Sequence, residues 1–315
     1  MARWLADPRR GGLLCLALLI ALAPLVFPSG FYYRVGTSIF IAAIAVIGLN
    51  ILMGLAGQVS LGHAGFYGIG AYATAIGPGS LGLPSWLSLL LGLIVAALTA
   101  LFVGRPILRL KGHYLAVATL GFGMLIAMVL TNEARWTGGP DGITVPRLVL
   151  FGWVVKDQRA WYGLSAALML AGALVALNLI DSPSGRALRA LHDSEVGATV
   201  SGVDVAHYKL AAFVLSAIYA SLAGSLAALS DAFITPSAAG FLKSIELVTM
   251  VVLGGMGSVF GGILGAALLE TLPQLLARMQ DFEPVLLGLI IMGVMIFMRD
   301  GIFPTLTRKL GRPSP

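Results

Sequence analysis

Side chains able to bind a solute, relay a proton or hold a metal are scarce in these 315 residues, and the densest group lies in one glycine-rich stretch, Gly57-Gln58-Val59-Ser60-Leu61-Gly62-His63-Ala64-Gly65-Phe66. Gln58, Ser60 and His63 place an amide, a hydroxyl and an imidazole close together, a set suited to hydrogen-bonding a small polar molecule. Glycines at this density make a continuous helix costly, and backbone groups freed in an apolar setting are tolerated only inside protein or beside a watery cavity. Two readings stay open. In one, Asn50, Gln58, Ser60, Gly62, His63 and Gly65 border a route for a solute. In the other, the stretch is a tight helix contact with Gln58 and Ser60 bonding across it. His63 alone makes no metal site.

A second run, Gly254 to Gly265, sets Gly257, Gly261 and Gly265 at i+4 intervals, a spacing that forms a flat groove for another helix. Catalytic chemistry finds no purchase. A phosphate-binding loop, a dinucleotide fingerprint, His-Glu-x-x-His and Gly-x-Ser-x-Gly are all missing in usable context. Cys15 is the single cysteine, and no Cys/His cluster has zinc spacing, so neither a metal nor a cofactor is expected. If ATP drives this chain, another chain binds it. Glu246 and Glu270 are expected near span ends, and Asp231 and Lys243 in an outer loop. That pattern speaks against a proton- or sodium-coupled carrier, which needs ionisable groups deeper in its bundle.

These residues are positioned by a chain that is 58% hydrophobic and 11% charged, against about 25% charged in soluble domains. Its fold class is therefore all-α, a polytopic transmembrane bundle of about 8–10 spans. The net charge of +6 is read as membrane orientation, with no nucleic-acid partner. Helices of about 20 residues cross the hydrocarbon, and the apolar runs predict spans at 11–28, 35–54, 62–78, 85–103, 113–131, 161–180, 208–229, 244–258, 259–277 and 283–298. The glycine-interrupted runs around 57–70 and 254–265 are expected to be broken or re-entrant, and one in each half suggests a weak internal pseudo-repeat. The layout of Arg3, Arg9 and Arg10 before an apolar run would also serve a cleaved secretory signal.

Placing the N-terminus in the cytoplasm gives that side thirteen lysines and arginines, among them Arg105, Arg109, Lys111, Arg186, Arg189 and Lys209. The other side receives seven, among them Arg34, Arg147, Lys156 and Lys243. The asymmetry predicts both termini inside. The expected organisation is a cytoplasmic segment 1–10, a membrane domain 11–298 and a cytoplasmic tail 299–315. An outer loop, 132–160, reads as an ordered cap because of its turn-rich Trp136-Thr137-Gly138-Gly139-Pro140-Asp141-Gly142. A cytoplasmic loop, 181–208, contains one short amphipathic helix over Ser184–Gly202, capped by Ser182 or Ser184.

The run Gly48-Leu49-Asn50-Ile51-Leu52-x-Gly54-x-x-Gly57-Gln58-Val59-Ser60-Leu61-Gly62-His63-Ala64-Gly65-Phe66 resembles the signature of branched-chain amino-acid ABC permeases of the LivH/LivM kind. Gly112-His113-Tyr114-Leu115-Ala116-x-x-Thr119-Leu120 and Thr137-Gly138-Gly139-x-Asp141-Gly142-Ile143 favour the LivM type. The resemblance implies an inner-membrane subunit of an ATP-driven importer. Its partners would be a second permease (a LivH-type paralogue or another copy), two ATP-binding cassette subunits, a periplasmic binding protein and membrane lipid. It further implies that the inner loop docks on an ATPase through Arg186, Ala187, Leu188, Arg189, Ala190, Leu191, Asp193, Glu195, Ala198 and Gly202. Similar permeases carry urea, short amides or other amino acids, and a stand-alone channel or carrier for a small neutral solute is the reading from another class.

Overall fold

The computed structural model describes residues 8–150, 153–276, 283–298 and 301–309. Arg3, Arg278, Arg299 and Arg312 lie outside the described residues, as do parts of the expected terminal segments.

The chain is a helix bundle. Its long helices are α1 (Pro8–Leu22), α2 (Gly30–Asn50), α3 (His63–Ser80), α4 (Ser85–Ile107) and α5 (His113–Asn132). A short α6 (Ala134–Thr137) leads to α7 (Gln158–Asp181), and the small helices α8 (Pro183–Asp193) and α9 (Glu195–Val200) follow. Then come α10 (Val205–Asp231), α11 (Phe241–Gly254), α12 (Val259–Leu276), α13 (Glu283–Phe297) and α14 (Ile302–Lys309). A helix overlaps each of the ten expected spans, although α11 begins and ends before the predicted 244–258. Among the described residues, six helices are long and apolar enough to cross a membrane: α2 with its C-terminal extension, α4, α5, α7, α10 and α12.

The centre is α2, against which α7, α10, α11 and α12 pack, while α10 also packs on α3 and α4. Helix α4 shows how sequence sets which face turns inward. Ser88, Gly92, Ala96, Ala100 and Gly104 recur every fourth residue and are all buried, whereas Leu90, Ile94, Leu98 and Phe102, at the same interval, are exposed. Small residues let backbones approach where lipid provides no hydrophobic drive between helices, and the large apolar face is left for the acyl chains.

Both glycine-rich runs are broken, as expected. Helix α2 ends in a single π-helical turn, Ile51–Leu55, followed by irregular backbone to Gly62. Residues 255–258 separate α11 from α12. One expectation is corrected here: Gly257 precedes α12, with φ of 80°, so only Gly261 and Gly265 share its helical face. Gly254 supplies the rest of that contact. A Cβ at Gly261 would press on the Gly254 carbonyl oxygen at 2.6 Å, and one at Gly265 would collide with the Met250 carbonyl oxygen.

The 132–160 loop is ordered by its glycines. Gly138, Gly139 and Gly142 all have positive φ, and side chains at Gly138 and Gly142 would strike the carbonyl oxygens of Gly142 and Ile234. The loop then forms β1 (Ile143–Thr144), antiparallel to β4 (Phe233–Ile234), and a second pair, β2 (Val149–Leu150) with β3 (Trp153–Val154).

Basic residues assigned to one side gather at one end of the bundle. Lys111 and Lys209 share Glu195, and Arg189 and Arg308 line one cavity. At the other end Arg34, Arg147 and Lys156 line another.

Candidate functional site

The break after α2 concentrates the predicted residues. Gly57, with φ of 66°, turns the chain, and the Gln58 N–H returns to the Leu52 carbonyl at 3.1 Å. The backbone then runs irregularly until His63 opens α3. The Ser60 hydroxyl lies 2.9 Å from His63 Nδ1, and Ser216 Oγ of α10 lies 2.5 Å from Nε2. A neutral imidazole donates from one nitrogen and accepts at the other, and since a serine hydroxyl can do either, one serine accepts from the ring and the other donates to it in both tautomers. Phe66 and Phe213 stand edge-on to the ring at 5.8 and 6.2 Å. The freed backbone donors are met from neighbouring helices: Leu61 N–H by Thr119 Oγ1 of α5 and Ala64 N–H by Ser244 Oγ of α11, each at 3.1 Å.

Gln58 differs from its neighbours. It is 3% exposed, yet neither its amide oxygen nor its nitrogen has a hydrogen-bond partner among the described residues. An unpaired buried amide costs on the order of 1–3 kcal/mol, so the Gln58 amide is available to bond a water or a solute.

Asn50, expected on the same route, instead ties the two breaks together. Gly257 N–H donates to its Oδ1, and its Nδ2 donates to the Ser258 carbonyl, both at 2.7 Å. Gly62 and Gly65 are close-approach points against α5: a Cβ at Gly62 would collide with the Thr119 carbonyl, and one at Gly65 would stand 3.2 Å from Gly123 Cα. The six residues therefore divide into a polar group (Gln58, Ser60, His63), a bridge (Asn50) and two contacts. Ser216, Thr119 and Ser244 complete the arrangement. Their signal was polar residues lodged within apolar helices, with Ser216, Ser221 and Ser225 all buried on α10.

Under the break lies a cavity of about 520 Å³, with Gly54, Leu55, Gly257 and Ser258 on one side and Arg189, His192, Asp193 and Arg308 on the other. His192 reaches the break itself: a Cβ at Gly57 would stand 3.1 Å from His192 Cδ2. The inner loop is thus packed against the residue that precedes Gln58.

That loop is two helices, where one was expected. Ser182 caps α8 by accepting from Gly185 N–H, and Ser194 caps α9 by accepting from Gly197 N–H, each at 3.1 Å. Ser194 is extended, with φ of −163°, so the helix stops and restarts there. The expected outward set also separates. Leu188, Leu191 and Ala198 are buried in this chain, Ala187 and Ala190 are half-buried, and Arg186, Arg189, Asp193 and Gly202 are exposed. The open apolar residues are Val196 and Val200, 74% and 85% exposed.

Glu195 fastens α9. It pairs with the buried Lys209 of α10 and, at 3.2 Å, with Lys111 between α4 and α5. Partial burial pushes its carboxyl up, but hydrogen bonds and charge from Lys209 and Lys111 outweigh this and hold it below the ordinary glutamate value. Lys243 and Glu246, expected in an outer loop and near a span end, are both inside α11, 3.0 Å apart.

The sequence matches, over residues 32–299, the family described as branched-chain amino acid transport system / permease component. It is 35% identical over 294 residues to the high-affinity branched-chain amino acid transport system permease protein LivM of Salmonella typhimurium, covering 86% of this chain and 69% of that protein. Identity and coverage are the same with LivM of Escherichia coli K12. Identity with the Salmonella typhimurium permease protein LivH is 26%, covering 86% of this chain and 92% of that one. No solved structure matches.

Proposed function

Because the chain belongs to the family of permease components of branched-chain amino acid transport systems, we propose that it is the LivM-type membrane subunit of an ATP-driven importer of leucine, isoleucine and valine. A periplasmic binding protein delivers the solute, a LivH-type permease completes the route, and two ATPase subunits drive alternating access from the cytoplasm. The chain works in the cytoplasmic membrane with both termini inside. It is a transport subunit and performs no hydrolysis itself.

The observation that carries this reading is the contact between His192 and Gly57. It joins the loop 181–208 to the backbone break whose next residue is the unpartnered Gln58. A loop clamped to α10 and to the α4–α5 turn through Glu195 moves as one piece, and a displacement on its outer surface is felt at the break. Gln58, Ser60 and His63 then border the solute's route, and Val196 and Val200, with Arg186, Arg189 and Asp193 around them, form the surface an ATPase grips.

The test uses Val196→Asp and Val200→Asp, which put charge into that contact without touching the bundle. Each should reduce ATPase recovered with the solubilised permease by about tenfold or more, at unchanged membrane levels. Unchanged recovery, together with unchanged solute-stimulated hydrolysis in vesicles, would remove the docking role.

A further inference from the structure

Charge at membrane depth is costly and collects where a solute or partner needs it. Helix α11 has 14 residues, about 21 Å of helix against a hydrocarbon thickness of about 30 Å. Its C-terminal end is at one surface of the bundle, since the residues just beyond it, Met256 and Gly257, line the cavity that holds Arg189 and Arg308. Its other end, Phe241, therefore stops well inside the opposite boundary, which leaves Lys243 and Glu246 at hydrocarbon depth.

The packing of α11 on α12 brings a third charge to them. Gly261 faces Gly254 and Gly265 faces Met250. One turn further along this antiparallel register, Glu246 comes level with Glu270. Lys243 lies within electrostatic reach of both carboxylates, binds Glu246 through both of its oxygens at 3.0 Å, and stands 5.9 Å from the centre of the Tyr67 ring. Asp231 is also within electrostatic reach of Lys243 but has Arg34 at 4.0 Å, so one ammonium is left to serve Glu246 and Glu270. The Lys243 and Glu246 side chains are 23% and 41% exposed. Leu242, one turn from Glu246, is 80% exposed, and Ile245 is 39% exposed beside them. A stripe that combines a half-open carboxylate with open aliphatic side chains suits neither lipid nor bulk water.

We propose that Lys243, Glu246 and Glu270 form the membrane-depth binding site for the solute's charged ends. The solute's carboxylate exchanges onto Lys243, its ammonium is held by Glu246 and Glu270, and its branched side chain lies along Leu242 and Ile245. A zwitterion brings a cation to the two carboxylates and an anion to the lysine, so each of its ends meets an opposite charge while the cluster's net charge is left unchanged by binding. The assignment rests on the amino-acid importer reading and adds where in the bundle the solute's charges are met.

The complex of this chain with its permease, ATPase and binding-protein partners, reconstituted in vesicles, tests it through L-leucine uptake and binding-protein-stimulated ATP hydrolysis. Lys243→Gln, Glu246→Gln and Glu270→Gln should each lower maximal leucine uptake by about tenfold or more while stimulated hydrolysis continues. The exchange Lys243→Glu with Glu246→Lys keeps the ion pair, so it decides the matter should a glutamine variant fail to assemble. It should lose uptake to the same degree, because the solute's ends meet the wrong charges. Uptake near wild type in the exchange variant, or in assembled Lys243→Gln and Glu246→Gln, would overturn the site while leaving the importer reading in place. A wild-type complex that moves none of the three branched-chain amino acids would refute the importer reading itself.

Discussion

His63 and Gln58 sit five residues apart in one break and have opposite energetics. Both His63 nitrogens are bonded, so Ser216→Ala should cost about 1–3 kcal/mol by leaving one of them buried and unpaired, read as a lower midpoint of thermal or detergent unfolding. Gln58→Leu removes a group that already lacks partners, so stability should hold or rise while leucine uptake falls. A fall in stability with unchanged uptake would return Gln58 to packing. Glu195 carries a pH dependence of defined sign. Its folded-state carboxyl lies below the ordinary value, so its stabilisation is complete above the unfolded-state value and is lost as pH falls through the lowered one. Limited proteolysis between Ser194 and Gly202 should accordingly accelerate only in acid, and in Glu195→Gln it should be fast at neutral pH. The sequence announced these polar residues because they interrupt apolar runs. Their partners were hidden: Ser216 and His63 are 153 positions apart, and nothing local couples them.

Among the elements, the helices were legible because lipid demands long apolar segments, and the two breaks because glycines cluster there. The orientation of the inner loop was not legible. Leu188 and Leu191 are expected in the ATPase contact, but in this chain they are buried against the bundle, and an apolar helix face carries the same residues for either. Both Ser182 and Ser194 have capping chemistry, and only the tertiary fold shows that both are used. Close glycine contacts give a sharp contrast. Gly261→Leu and Gly265→Leu drive side chains into the backbone of α11 and should abolish accumulation in the membrane, whereas Gly121→Leu, with nothing within 4 Å, should accumulate like wild type. Immunoblots of membrane fractions compare the three. Equal levels would mean that α11 and α12 do not meet at Gly261 and Gly265.

For the whole molecule, the proposed cytoplasmic face is the end formed by the α4–α5 turn, the 181–208 loop and α14, where Lys111, Lys209, Arg189 and Arg308 lie. A cysteine introduced at Val200, which is 85% exposed, should react with an impermeant maleimide only after spheroplasts are opened, and reaction in intact spheroplasts would invert the topology. The central claim is that this chain moves branched-chain amino acids only when ATPase partners drive it. The most direct measurement is uptake of labelled L-leucine into vesicles holding the chain alone or with its permease, ATPase and binding-protein partners, with and without ATP on the nucleotide-binding side. Accumulation that requires the full set and ATP is the predicted result. Leucine uptake by the chain alone, indifferent to ATP, would contradict the account and make the protein a channel or carrier.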